Sequence, residues 1–272
     1  MKKFVAKAIG CVLAVVSLFS MASCNLANTF KSKKTVTIGY TDYAPMNYTD
    51  ENGKLVGFDT ELAEKAFGDL GYEVRFKLIE WSNKYTELDS GTIDCVWNGF
   101  TANCADDDGV QRADKVDFSY YYMTNAQCIL RLDSTADADD PMDLAGASIA
   151  YEKGSAAEGF ITPYIAAINP KAVTSQMDAV REVKAGTAQY AVVDLLLAKS
   201  IAGKGDFATL KINEGIEIEA EYYAIGFKKG SDLTAKINEK LVEYAKDGSL
   251  ATLAEKYGLS NQVITDYADQ AK

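Results

Sequence analysis

The chain contains no histidine among its 272 residues. That absence removes the commonest general base and a common zinc ligand, and with them Ser-His-Asp hydrolysis. Cysteine is scarce. Beyond Cys24 only Cys95, Cys104 and Cys128 remain, an odd number that leaves at least one thiol unpaired. Their spacings match no zinc signature, so neither a metal nor a cofactor is assigned. Positive charge is in deficit: 28 Lys and Arg face 39 Asp and Glu, for a net charge of −11. An acidic body repels phosphate backbones, so nucleic acid is not an expected partner.

What is present suits a folded soluble body. Hydrophobic residues make up 48% and charged residues 25%, the balance of a globular protein. Sixteen Tyr and eleven Phe are more aromatics than a disordered chain carries. Lys2, Lys3 and Lys7 precede an apolar run from Ala8 to Phe19, and small residues lead to Cys24. This is the layout of a secretory signal over residues 1–23. The run falls short of the roughly 20 apolar residues that span a bilayer. Met21-Ala22-Ser23-Cys24 resembles the lipobox of bacterial lipoproteins, which implies lipidation of Cys24; an ordinary signal with a chance Cys is the alternative. Residues 24–34 are polar and aperiodic, and read as a tether.

The rest alternates between two periods. Thr35–Tyr40 is β-branched and alternating, a strand. From Asp59, with Asp59 as N-cap, Leu62, Ala63, Ala66, Phe67 and Leu70 share a helical face that Gly71 closes. Val74–Leu78 reads as a strand, Asn83–Ser90 as a helix and Ile93–Trp97 as a buried strand. A second series follows: strand Ser148–Tyr151, a helix opened by Gly154-Ser155-Ala156, strand Val173–Ser175, helix Met177–Ala185 and buried strand Tyr190–Asp194. Leu88–Val96 echoes Val183–Ala191: in each a helix ends at a Gly and an apolar strand follows. Leu233–Gly258 is helical, broken around Gly248. Strands alternating with helices predict α/β architecture with parallel sheets.

Several strings, in order, resemble the amino-acid-binding proteins of ATP-binding-cassette importers, the bacterial extracellular solute-binding protein family 3. They are Tyr43-Ala44-Pro45, GKLVGFDTELA (Gly53–Ala63), SGTIDCVWNGFT (Ser90–Thr101), QRADKVDFS (Gln111–Ser119), DLAGASIA (Asp143–Ala150), YYAIGFKKGS (Tyr222–Ser231) and KDGSLATLAEKYG (Lys246–Gly258). The resemblance implies a type II periplasmic binding fold: two Rossmann-like α/β lobes joined by hinge strands near Ala126–Leu132 and Glu219–Phe227. Lobe one would be residues 34–125 with 222–272, and lobe two residues 126–221. It also implies an extracytoplasmic, membrane-anchored monomer that hands a small polar amino acid to a permease.

A zwitterion needs a cation for its carboxylate and an anion for its ammonium. The resemblance puts Arg112 on the carboxylate and Asp194 on the ammonium. Asn98, Gly99 and Thr101, ending a lobe-one strand, would complete both shells. Ser155 and the backbone amide of Ala156 would present donors to the carboxylate. Tyr43 and Trp81 would wall the ligand side chain, and Asp42 could reach it. Each has a plainer alternative: pairing of Arg112 with Asp106–Asp108 at the surface, a helix N-cap for Asp194, core packing for the aromatics, turn capping for Asp42. Cys104–Val110 looks like an insertion that could displace Arg112. Two rival functions use the same scaffold, a cyclohexadienyl dehydratase with Glu152 as its catalytic carboxylate and a sensory ligand-binding protein.

Overall fold

The computed structural model describes residues 34–216 and 218–270. The expected signal, Cys24 and all but the last residue of the tether lie outside the described residues. Thr35–Lys272 forms one compact unit. Within it the strands and helices come in the order β1 Lys34–Tyr40, β2 Tyr48–Thr49, β3 Leu55–Val56, α1 Phe58–Asp69, β4 Tyr72–Leu78, α2 Lys84–Ser90, β5 Cys95–Thr101, α3 Arg112–Lys115, β6 Asp117–Phe118 and β7 Met123–Leu132. Then follow β8 Ser148–Glu152, α4 Ala156–Ile161, β9 Asn169–Val173, α5 Gln176–Lys184, β10 Tyr190–Asp194, α6 Leu195–Ile201, β11 Leu210–Ile212, β12 Ala220–Phe227, α7 Leu233–Asp247 and α8 Ser249–Lys256.

The principal sheet runs β4-β1-β5-β12-β7-β10-β8-β9. In the first half β1 and β5 are parallel and β12 lies antiparallel to β5. In the second half β8, β9 and β10 are parallel and β7 lies antiparallel to β10. Strand β7 pairs with β12 over Met123–Ala126 and with β10 over Gln127–Arg131. Strand β12 pairs with β7 over Ala220–Tyr223 and with β5 from Tyr223 to Phe227. Two Rossmann-like α/β lobes are thus joined by two strands that each change partner midway.

The internal echo has a structural basis. Gly91 after α2 and Gly186 after α5 both adopt positive φ, 73° and 72°, the left-handed turn that ends a helix without a Cβ clash. Each turn feeds the central strand of its lobe, β5 or β10. All of β5 and all of β10 are buried, and each opens on an apolar run, Cys95–Trp97 and Tyr190–Val193.

Several elements differ from the sequence expectation. Gly57, not Asp59, is the N-cap of α1; Asp59 is buried within the first turn and bonds across to β5. The strand expected at Val173–Ser175 lies at Asn169–Val173, where an edge position tolerates Pro170. Strand β5 begins two residues later than expected and runs on to Thr101. The core is aliphatic and aromatic, with Phe58, Phe67, Trp97, Tyr122, Phe227 and Tyr244 almost fully buried. Cys95, Cys104 and Cys128 are free thiols.

Candidate functional site

In open α/β sheets the carboxyl ends of parallel strands expose backbone groups and loop side chains to a shared crevice. Here β5 ends at Thr101, β8 at Glu152 and β10 at Asp194. Their ends converge on one narrow cavity lined by Trp81, Asn98, Gly99, Thr101, Arg112, Glu152, Ser155, Ala156, Gln176 and Asp194. Its free volume is about 10 Å³, room for about one water. The strand ends therefore lie close together, with no space between them for a larger molecule.

Eight of the ten residues expected in the site line this cavity: Trp81, Asn98, Gly99, Thr101, Arg112, Ser155, Ala156 and Asp194. Asp42 and Tyr43 do not. Asp42 is exposed and feels the charges of Asp178 and Arg181 on α5. Tyr43 is buried behind Gly99, its hydroxyl 2.6 Å from that of Tyr223. A Cβ on Gly99, which sits at φ +58°, would lie 2.6 Å from the Tyr43 ring. The ring thus supports the strand end from beneath.

Arg112 opens α3 and is only 1% exposed. Its Nε donates to Asp106 Oδ1 at 2.8 Å, Nη1 to the Thr101 carbonyl at 3.0 Å and Nη2 to the Gly154 carbonyl at 3.1 Å. Arg112 borders the cavity despite the intervening segment. Cys104–Val110 closes on itself through Asp106 N to Val110 O and an Ala105–Gln111 bridge, and it supplies Asp106 as a buried counter-ion. Arg112 is thus paired with Asp106 as the surface alternative supposed, but inside the protein. Burial alone would raise the Asp106 carboxyl; Arg112, Lys84 and hydrogen bonds from Tyr85 and Lys115 bring it down to about 2.

Asp194 stands at the N-cap of α6, yet its carboxylate makes no cap bond. It accepts instead from Asn125 Nδ2 at 3.1 Å, from Gln127 Nε2, and from Gln176 Nε2 at 2.7 Å. Burial pushes its pKa up, and these amides with the Tyr223 and Tyr43 hydroxyls hold it back. The carboxamides anchor a buried carboxylate that would otherwise be very costly.

The other lining residues divide by their partners. The Asn98 amide is committed to Thr41: its Oδ1 accepts from the Thr41 N–H and hydroxyl, and its Nδ2 donates to the Thr41 carbonyl. It ties β5 to the loop after β1. The Thr101 hydroxyl donates to Glu221 Oε2 at 3.2 Å. Trp81 packs edge-on against Phe100, with ring centroids 5.1 Å apart. Ser155 Oγ and Glu152 Oε1 are buried with no hydrogen-bond partner among the described residues.

Four buried polar groups in or beside the cavity escaped the sequence reading. Lys84 is 1% exposed; its ammonium lies near the rings of Trp81, Tyr85 and Phe100 and donates to the Gly154 carbonyl at 2.9 Å. Burial and Arg112 lower it to about 7. The signal available was its position four residues before Leu88, on the same helical face. Gln176 opens α5, directly after its Ser175 cap. Glu221 on β12 shares Asn125 and Gln127 with Asp194, and burial with the Asp194 charge raises it to about 7. Glu152, nominated only as the catalytic carboxylate of a rival enzyme, ends β8 inside the cavity. Among the described residues no His, Cys, Asp or Glu group is arranged to hold a metal ion, and no helix is long and apolar enough to cross a membrane.

The chain is similar to known proteins over most of its length. It is 26% identical to the L-cystine-binding protein TcyJ of Escherichia coli (strain K12), covering 90% of this chain and 91% of that one. An ancestral arginine-binding protein solved with arginine is 31% identical with a TM-score of 0.74, covering 83% of this chain and 98% of that one. The ancestral amino acid-binding protein AncCDT-1, a precursor of cyclohexadienyl dehydratase, is 27% identical with a TM-score of 0.71, covering 82% and 95%. Residues 36–260 match the family described as bacterial extracellular solute-binding proteins, family 3. Together with the two-lobe fold and the cavity between the strand ends, that match makes this chain a member of the family 3 bacterial extracellular solute-binding proteins.

Proposed function

We propose that the chain is the extracytoplasmic binding component of an amino-acid ABC importer, taking a zwitterionic amino acid into the interlobe cleft by hinge closure. Lobe one is residues 34–125 with 222–272 and lobe two is residues 126–221, hinged where β7 and β12 exchange partners. Cys24 carries the lipid that holds a monomer at the membrane, within reach of a permease. The carrying observation is that Arg112 from one lobe and Asp194 from the other line one buried cavity. Three of the five guanidinium N–H groups have protein partners, leaving two to grip a carboxylate. Asp194 offers its charge to the ammonium, and Trp81 borders the side chain.

Isothermal titration against the common amino acids and cystine tests this reading. Arg112→Ala and Asp194→Ala each leave a buried ligand charge unpaired, at about 2–5 kcal/mol or a hundredfold in affinity as an order of magnitude. If both variants bind as the parent does, the pocket is misassigned. A second reading is favoured by Glu152, whose pKa burial and Asp194 raise to about 8, so that it could act as an acid in a cyclohexadienyl dehydratase. Turnover of prephenate or arogenate would support that reading over transport.

A further inference from the structure

We propose that Glu152 is a specificity-determining residue that receives a cationic side-chain group, so that the cleft selects a basic amino acid. This rests on the amino-acid-binding reading above and adds the class of side chain.

The argument is one of charge and partners. The cavity is bordered by one cation, Arg112, and two carboxyl groups, Glu152 and Asp194. A zwitterion engages Arg112 and one of the two carboxyls. Asp194 already accepts hydrogen bonds from Asn125, Gln127 and Gln176. Glu152 is not so held. It is 2% exposed, its Oε1 has no hydrogen-bond partner, and no cation among the described residues lies within ion-pair distance. A buried carboxyl oxygen without a partner is costly, and proteins keep few.

The groups facing Glu152 explain why it stays open. Asp194 on β10 repels its charge; Lys84 on α2, Arg112 on α3 and the Gln176 backbone N–H at the start of α5 favour it. Both cations are engaged elsewhere, since Lys84 Nζ and Arg112 Nη2 each donate to the Gly154 carbonyl. An ammonium or guanidinium on the ligand side chain would supply the missing partner, and the Trp81 ring on the same cavity favours a cation. Burial and Asp194 raise Glu152 to about 8, so an arriving cation favours loss of its proton to solvent. A neutral side chain leaves the carboxyl as it is, and an acidic one adds repulsion.

The test is calorimetric titration of the parent, Glu152→Gln and Glu152→Asp with L-arginine, L-lysine and L-glutamine, in buffers of differing ionisation enthalpy at pH 7. The parent should bind the basic ligands about tenfold or more tighter than L-glutamine, with release of most of one proton. Glu152→Gln should weaken basic ligands about tenfold or more, abolish proton release and change L-glutamine by less than about threefold. Glu152→Asp, with its carboxyl drawn back, should fall between. Gln preserves the volume and removes a buried charge, and thermal unfolding verifies its fold. Equal weakening of basic and neutral ligands, or a parent that prefers L-glutamine, overturns the role of Glu152 while leaving amino-acid binding intact. A parent that binds no amino acid overturns both readings.

Discussion

The Arg112 guanidinium of lobe one donates through Nη2 to the Gly154 carbonyl of lobe two at 3.1 Å. Lys84 Nζ, also from lobe one, donates to the same oxygen at 2.9 Å. Two cations on one carbonyl are charge-assisted bonds across the cleft, and they hold the lobes together. Gly154 suits the contact: at φ +76°, a Cβ there would lie 3.1 Å from Ser82 Cα.

Lys84→Met should therefore loosen the closed arrangement. Methionine fills the slot between Trp81, Tyr85 and Phe100 but donates nothing to Gly154. Losing one charge-assisted bond costs about 1.5–3 kcal/mol, enough to shift a closed-to-open ratio about tenfold. Small-angle scattering of the unliganded protein should show a larger radius of gyration in the variant. An unchanged radius would mean that the lysine does not govern closure.

Gly99→Ala should damage both stability and binding. Its positive φ strains any Cβ, and the added methyl meets Tyr43 at 2.6 Å and Tyr223 at 3.0 Å. Those rings are buried and joined through their hydroxyls, so they have little room to retreat. Overpacking of this kind costs about 1–3 kcal/mol. Urea unfolding should show a lower midpoint with an unchanged slope.

Much of this architecture was legible in the sequence because it is written at short range. Alternation in Thr35–Tyr40 and the Leu62, Ala63, Ala66, Phe67 face gave β1 and α1 close to their observed bounds. The helix-Gly-strand echo marked the two central strands. The partners of Asp194 were not legible, because Asn125 and Gln127 stand 69 and 67 residues away and meet it only once β7 pairs with β10. Lys84 was missed because a lysine is ordinarily exposed, and nothing local says that three rings will bury it. Tyr43 was assigned to the ligand wall from the family resemblance, which cannot tell the side of Gly99 it lies behind from the side the cavity occupies.

Stability should fall as pH rises from about 4 to 8. Burial raises Asp59 to about 7; burial and the Asp194 charge raise Glu221 to about 7 and Glu152 to about 8. A carboxyl whose folded pKa exceeds its unfolded value contributes stability that is full below the unfolded value and lost as pH climbs through the folded one. Lys84, lowered to about 7, acts oppositely, but only above that pH, where the unfolded chain holds the extra proton. Glu221→Gln is neutral throughout, so its melting temperature should exceed that of the parent at pH 8, with the gain shrinking towards pH 5. Scanning calorimetry at both values checks the sign, at about 2–4 °C per kcal/mol for a domain of this size.

A crystal structure of the protein with the tightest amino acid from the titrations tests the central claim most directly. The ligand should lie between the strand ends, its carboxylate on the Arg112 guanidinium and its ammonium against Asp194, with Trp81 beside its side chain. A ligand found instead in the neighbouring crevice of about 750 Å³ bordered by Asn103, Asp107, Phe160 and Glu219, with no contact to Arg112 or Asp194, would contradict it.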